Sequence, residues 1–158
     1  MSEEFTSHEY DVVVIGAGGA GLRAAIESAR SGAKTAIITK SLLGKAHTVM
    51  AEGGCAAALQ NADPRDGWKV HFHDTMKGSK WLANWQMAEY HAKEAPDRVR
   101  ELEQWGAVFD RTNKNLINQR NFGGHTFPRL AHVGDATGLE IIRTLQERGI
   151  HEGIDIFT

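Results

Sequence analysis

Residues 11–21, DVVVIGAGGAG, constrain this chain more than any other stretch. Asp11 to Ile15 form a continuous β-branched run, the pattern of a strand buried on both faces. Gly16, Gly18 and Gly21 follow at once in Gly16-Ala17-Gly18-Gly19-Ala20-Gly21. Gly16 permits a tight turn out of the strand, Gly18 leaves room for a pyrophosphate against the backbone, and Gly21 lets a helix pack close to the strand. The spacing G-x-G-x-x-G is weak evidence alone, and a ligand-free glycine turn can produce it. Its place between a buried strand and a helix is the confirming context for a dinucleotide site. The helix's amino end then offers N–H groups and a partial positive charge to phosphates.

The stretch LRAAIESARSG has Leu22, Ala25 and Ile26 at helical spacing and Gly32 as its stop. KTAIIT reads as a second buried strand. Strand, turn, helix and strand within about thirty residues make a βαβ unit. The acidic residue that would bind a ribose hydroxyl at the end of the second strand is missing. Thr39 and Lys40 stand there. A plain NAD reading is thereby weakened, and FAD, whose pyrophosphate needs the same turn, remains open.

Downstream, a short helix is expected around Cys55–Gln60. A longer one should begin near Asp63 as cap and Pro64 in the first turn, with Trp68, Phe72 and Met76 recurring every fourth residue. NWQMAEYHAKEA and PDRVRELEQWG read as two further helices, the second opened by Pro96 and closed by Gly106. AVFDRT suits a short strand and NKNLINQR a hairpin. FGGHTFPRLAHVGDATG is irregular and glycine-rich. LEIIRTLQERG is an amphipathic helix, and IDIFT reads as a strand in which the chain stops. The expected fold is α/β, a Rossmann-like FAD-binding domain with a parallel sheet, incomplete at the C-terminus. Residues 1–9 would be a flexible tail, and 10–158 the N-terminal part of that domain. A complete small α+β domain is the plainer alternative.

Composition narrows the function. A net charge of −2 over 158 residues argues against a nucleic-acid protein. The single cysteine, Cys55, excludes an internal disulfide and a cluster held by this chain's own cysteines. It makes a reducing, intracellular setting the default. The start MSEEFTSHEY lacks the features of a secretory signal. No apolar run approaches the roughly 18 residues of a membrane helix.

VVIGAGGAGLRAA, SLLGKAHTVMAEGG and NFGGHTFPRLAHVGDATG together resemble the N-terminal portion of the succinate dehydrogenase/fumarate reductase flavoprotein subunit. The motifs occur in the family's order and spacing, and the wording GHTFPRLAHVGD resembles an actinobacterial variant. On the residues alone, His47 reads as a loop histidine with a backbone hydrogen bond. The resemblance instead implies covalent attachment of FAD through His47. A neutral imidazole is a competent nucleophile near neutral pH. A covalent link would raise the flavin's reduction potential.

By the same resemblance, Gly16, Ala17, Gly18, Gly19, Ala20 and Gly21 bind the cofactor, with Thr39, Lys40, Lys45, His47 and Thr48. Lys45 would hold flavin charge, or be solvated. Gly53, Gly54, Gly123 and Gly124 would let the backbone pass close to the flavin. Phe122 would lie over the dicarboxylate substrate, or be a core aromatic. Asp135, Thr137 and Gly138 match D-x-T-G at a helix start, with Thr137 as cap, although Ala136 stands where the family usually has a basic residue. The catalytic arginine and most dicarboxylate ligands are expected beyond residue 158, so the chain alone would not catalyse.

Implied partners are an iron–sulfur subunit and one or more membrane anchor subunits. They would place the protein in the cytoplasm, peripheral on the inner face of the cell membrane. An L-aspartate oxidase-like enzyme with non-covalent FAD is a second reading, and a non-catalytic flavin-binding fragment a third. No metal site is expected: His71 and His73, two apart on a helix, do not share a face. His125 and His132 are candidates for contact with substrate or flavin, or ordinary loop histidines. Trp81, Trp85 and Trp105 are expected as core or interface anchors, and Cys55 as a small buried residue.

Overall fold

The apolar run after Asp11 is a strand, β1 (Val12–Ile15), and the glycines turn it directly into helix α1 (Gly19–Arg30). The computed structural model describes residues 5–158. Strand β2 (Thr35–Ile38) pairs with β1 in parallel, Val12 opposite Thr35 and Ile15 opposite Ile38. The chain's last strand, β6 (Asp155–Phe157), pairs in parallel with the other edge of β2, giving the order β1-β2-β6. Leu22, Ala25 and Ile26 on one face of α1 are buried, as are Thr35, Ala36 and Ile37 of β2. This is the expected βαβ unit, extended by the strand expected at IDIFT.

One expectation about β1 is corrected. Val12, Val13 and Ile15 are exposed, Ile15 to 85%. The strand has a single ladder partner among the described residues, so its outer edge and much of its side-chain surface stay open.

The chain divides into two compact units. One holds residues 1–47 and 145–158, with the parallel sheet; the other holds residues 48–144. Residues 1–4 of the expected tail lie outside the described residues. Residues 5–10 form no helix or strand, although the His8 ring lies 5.0 Å from that of Phe157.

The second unit is built on helices α2 (Trp68–Gly78) and α3 (Trp85–Gln104), which pack on each other. A small antiparallel sheet joins β3 (Cys55–Ala56), β4 (Gln119–Arg120) and β5 (Leu130–Ala131) in the order β3-β5-β4. Its core gathers Ala57, Leu59, Ala95, Val99, Phe109 and Ile117. Cys55 is half-buried at its edge, and burial raises its thiol pKa. Helix α4 (Thr137–His151) leads back to the sheet unit.

Several local expectations fail here for identifiable reasons. Cys55–Gln60 is no helix, because Cys55 and Ala56 pair with Ala131 and Leu130. Asp63 does not cap a helix. It accepts hydrogen bonds from the Arg65 backbone and guanidinium in a local turn, and α2 begins later, after Gly67.

The two helices expected on either side of Pro96 are one, with Asn84 as N-cap accepting from Gln86 and Met87 backbone N–H groups. Burial of Ala88, Ala92, Ala95 and Val99 along one face carries the helix through the proline. AVFDRT is not a strand, though Arg111 bridges Ile117 around the turn expected as a hairpin. The irregular segment contains β5. Of the core or interface roles expected for the tryptophans, exposed Trp81 and Trp85 are not in this chain's core, and Trp105 is half-buried.

Candidate functional site

The corner after β1 requires glycine at two points. Gly16 has φ +105°, in the left-handed region that side chains rarely adopt, and its N–H donates to the Ile38 carbonyl at 2.8 Å. At Gly21, a Cβ would sit 2.0 Å from the Gly16 carbonyl oxygen and 3.6 Å from Val14 Cγ1. Helix and strand can approach this closely only without a side chain there. Gly18 is the helix N-cap and offers no side-chain acceptor, and its carbonyl accepts from the Leu22 N–H at 2.9 Å.

This corner opens onto a hollow of about 480 Å³. Gly16, Ala17 and Gly18 line it, with Thr39, Lys40, Lys45 and His47 from the segment after β2. Gly19, Ala20 and Gly21 lie behind the wall, in the first turn of α1. Lys40, Lys45 and His47 are exposed, and Thr39 is half-buried, its N–H held by the Phe157 carbonyl at 2.8 Å. No carboxylate lines the hollow. A diphosphate brings negative charge, and backbone donors with two ammonium groups offset it. The residues present therefore fit a dinucleotide, with a threonine hydroxyl where an acidic residue was sought.

His47 opens a 3-10 turn, His47–Met50, and Thr48 falls in the other unit. In that unit the glycines divide by role. Gly54 has φ +120°, and a Cβ there would lie 2.7 Å from the Ala131 carbonyl oxygen. The close approach at Gly54 is thus to β5. A Cβ on Gly53 would come within 4.0 Å of Phe122 Cζ. Gly123, with φ +57°, and Gly124 face open space. Phe122 is 61% exposed in this chain. It lines a separate hollow of about 400 Å³ with Glu52, Gly53, Arg120, Asn121 and Asp135.

The D-x-T-G stretch is folded differently from expectation. Thr137 is buried in the first turn of α4, and its hydroxyl accepts from the Val133 N–H at 3.1 Å. Ala136 provides the first helical carbonyl, to the Glu140 N–H, so Thr137 is not the cap. Gly138 donates its N–H to the Ala51 carbonyl at 2.7 Å, and a Cβ there would lie 2.1 Å from the Thr48 carbonyl oxygen.

A buried ionic cluster went unforeseen. Arg129, fully buried, reaches Asp66 at 2.8 Å and Asp74 at 3.0 Å, and its Nη1 lies 3.3 Å from His125 Nδ1. Asp74 also accepts from the Thr126 N–H and hydroxyl, at 2.8 and 2.7 Å. Burial raises the Asp74 pKa, but these hydrogen bonds and the arginine outweigh it and leave the group lowered.

His71 is buried nearby, 5.4 Å from the His91 ring and 5.8 Å from that of His125. Burial first, then the Arg129 charge, push its pKa down to about 4. Burial and Arg129 lower that of His125 as well, so both rings are neutral near pH 7. His132 Nδ1 lies 2.9 Å from an Asp110 carboxylate oxygen, but neither ring nitrogen makes a hydrogen bond. His125 does have a protein partner, and the cluster pins the stretch after Gly124 to α2. An arginine next to a proline within an otherwise apolar run was the available signal.

A strand, a glycine corner, a helix and a basic hollow free of carboxylates define a dinucleotide-binding α/β domain. The chain belongs to the FAD binding domain family, which matches residues 11–158. It is 44% identical over 158 residues to the succinate dehydrogenase flavoprotein subunit of Rickettsia felis, covering 95% of this chain and 26% of that protein. It superposes on a chain of the Mycobacterium smegmatis Sdh1 complex in the apo form with TM-score 0.90 and 62% identity, covering 95% of this chain and 27% of that one. For the quinol fumarate reductase of E. coli the TM-score is 0.87 and the identity 37%, covering 93% and 25%. The chain thus spans about a quarter of the length of these relatives.

Proposed function

We propose that the chain is the FAD-binding N-terminal part of a succinate dehydrogenase/fumarate reductase flavoprotein subunit, with FAD joined covalently to His47. The observation that carries this reading is the shared hollow: Gly16, Ala17, Gly18, Thr39, Lys40, Lys45 and His47 line one space without a carboxylate. FAD, when bound, supplies the hydride acceptor for converting succinate to fumarate. The glycine corner and the start of α1 bind the diphosphate. The Thr39 hydroxyl takes the ribose, and Lys40 and Lys45 offset phosphate and flavin charge. His47, exposed at the rim, would hold FAD through a bond from a ring nitrogen to the 8α carbon, each of the two giving up one proton and the flavin itself taking up the electron pair.

In the second unit, Gly53, Gly123 and Gly124 leave backbone accessible to the ring, whereas Gly54 packs on β5. Phe122 lies over the dicarboxylate. Electrons leave to an iron–sulfur subunit, and anchor subunits hold the assembly on the inner face of the cell membrane. None of the described helices is long and apolar enough to cross a membrane.

Denaturation and precipitation of the flavin-loaded protein test the reading. Yellow colour in the pellet, and a His47 peptide heavier by one FAD, are expected. Flavin released to the supernatant would indicate a non-covalent, aspartate oxidase-like relative. Failure to retain any flavin would end the proposal.

A further inference from the structure

Arg120, on β4, grips two successive carbonyls with one guanidinium. Its Nε donates to the Gly53 carbonyl at 2.9 Å and its Nη2 to the Glu52 carbonyl at 2.8 Å. Its Nη1 donates to the Asp135 carboxylate at 3.2 Å. A planar fork makes this grip; the ammonium of lysine, a point donor, cannot reproduce it.

The same stretch is held at two further points. The Gly138 N–H takes the Ala51 carbonyl, and Gly54 packs on Ala131 with no room for a side chain. Arg120 is the contact that ties residues 52–53 to the segment carrying Phe122, two positions along the chain. Gly53 and Phe122 then face each other across the wall of one hollow.

We propose that Arg120 is a positioning residue: it fixes the Glu52–Gly53 backbone against Phe122 and so sets the gap offered to the flavin ring and the dicarboxylate. It acts through the backbone it holds, and Asp135 orients its guanidinium. The role in substrate and flavin placement rests on the function proposed above, whereas the grip itself does not.

The test compares wild type with Arg120→Lys, Arg120→Met and Asp135→Asn in the intact protein, with and without FAD. Amide hydrogen exchange is followed at residues 52–55, and circular dichroism in the visible flavin bands. Loss of charge-assisted bonds should speed exchange there by about tenfold or more, for lysine as well as methionine. The visible flavin signal should change at unaltered FAD content, and Asp135→Asn should give a smaller effect of the same sign. If Arg120→Met does not fold, Arg120→Lys decides. An Arg120→Lys protein matching wild type in exchange and in flavin signal would overturn the proposal. Wild type without flavin would sink the proposed function, and the exchange data would still judge the grip.

Discussion

Arg129 donates to both carboxylate oxygens of Asp66, from Nη2 at 2.8 Å and Nε at 3.2 Å, and neither side chain reaches solvent. A buried pair of this kind is a weak source of net stability while intact. Removing one partner is another matter, because the other is left charged in a dry interior. Asp74 shares the load, so the cluster fails only in part when either acid is neutralised.

Arg129→Met should therefore destabilise the fold by about 3–5 kcal/mol, and Asp66→Asn by less. Denaturant unfolding measures both. A double replacement of Arg129 and Asp66 by apolar residues should recover part of the loss. Additive losses in the double variant would contradict the coupling.

His71 makes stability depend on pH in a defined window. Its folded pKa, about 4, lies below the ordinary value of 6.5. The unfolded chain therefore binds the proton more readily, so stability rises with pH. The contribution is complete above about pH 6.5 and is lost as pH falls toward 4. His71→Gln should flatten the melting temperature between those limits, and an unchanged slope would refute the assignment.

Gly21→Ala should abolish FAD retention, because the added methyl would collide with the Gly16 carbonyl at 2.0 Å. Backbone cannot move aside cheaply, and a destabilisation of about 3 kcal/mol or more is expected. Gly124→Ala, facing open space and outside the left-handed region, should disturb the fold far less and report on flavin approach instead. Flavin absorbance on the purified variants separates the two.

Pro96→Ala should stabilise α3. Proline inside a helix removes an N–H bond and is about 3 kcal/mol poorer than alanine. Ala92, whose carbonyl would gain that bond, is buried on the packed face. Thermal melting should show the increase, and a lower midpoint would mean that the proline is needed for packing.

The βαβ unit was legible because its signals are local: a β-branched run, glycines at fixed offsets, and a helical repeat. Part of the hollow's lining was legible too, since Thr39 and Lys40 follow β2 at once, whereas Lys45 and His47 stood out only through the family resemblance. What could not be read depends on distant partners. Cys55 and Ala56 have helical neighbours by composition, and only pairing with β5 makes them a strand. Asp66 and Asp74 look like solvated helix charges until Arg129, far along the chain, is brought against them. The rule that proline ends a helix lost at Pro96 to burial of the alanines around it.

The second unit is inserted, in sequence, between the two parts of the first. Strand β2 pairs with β6, which lies far along the sequence beyond the inserted unit. Closing so long a loop is entropically slow, whereas residues 48–144 can pair among themselves earlier. On the ribosome the inserted unit should acquire protection first, leaving the β2–β6 ladder unformed until β6 emerges. Pulsed hydrogen exchange during refolding would reveal that order, and with it whether cofactor can arrive before synthesis of this segment is done.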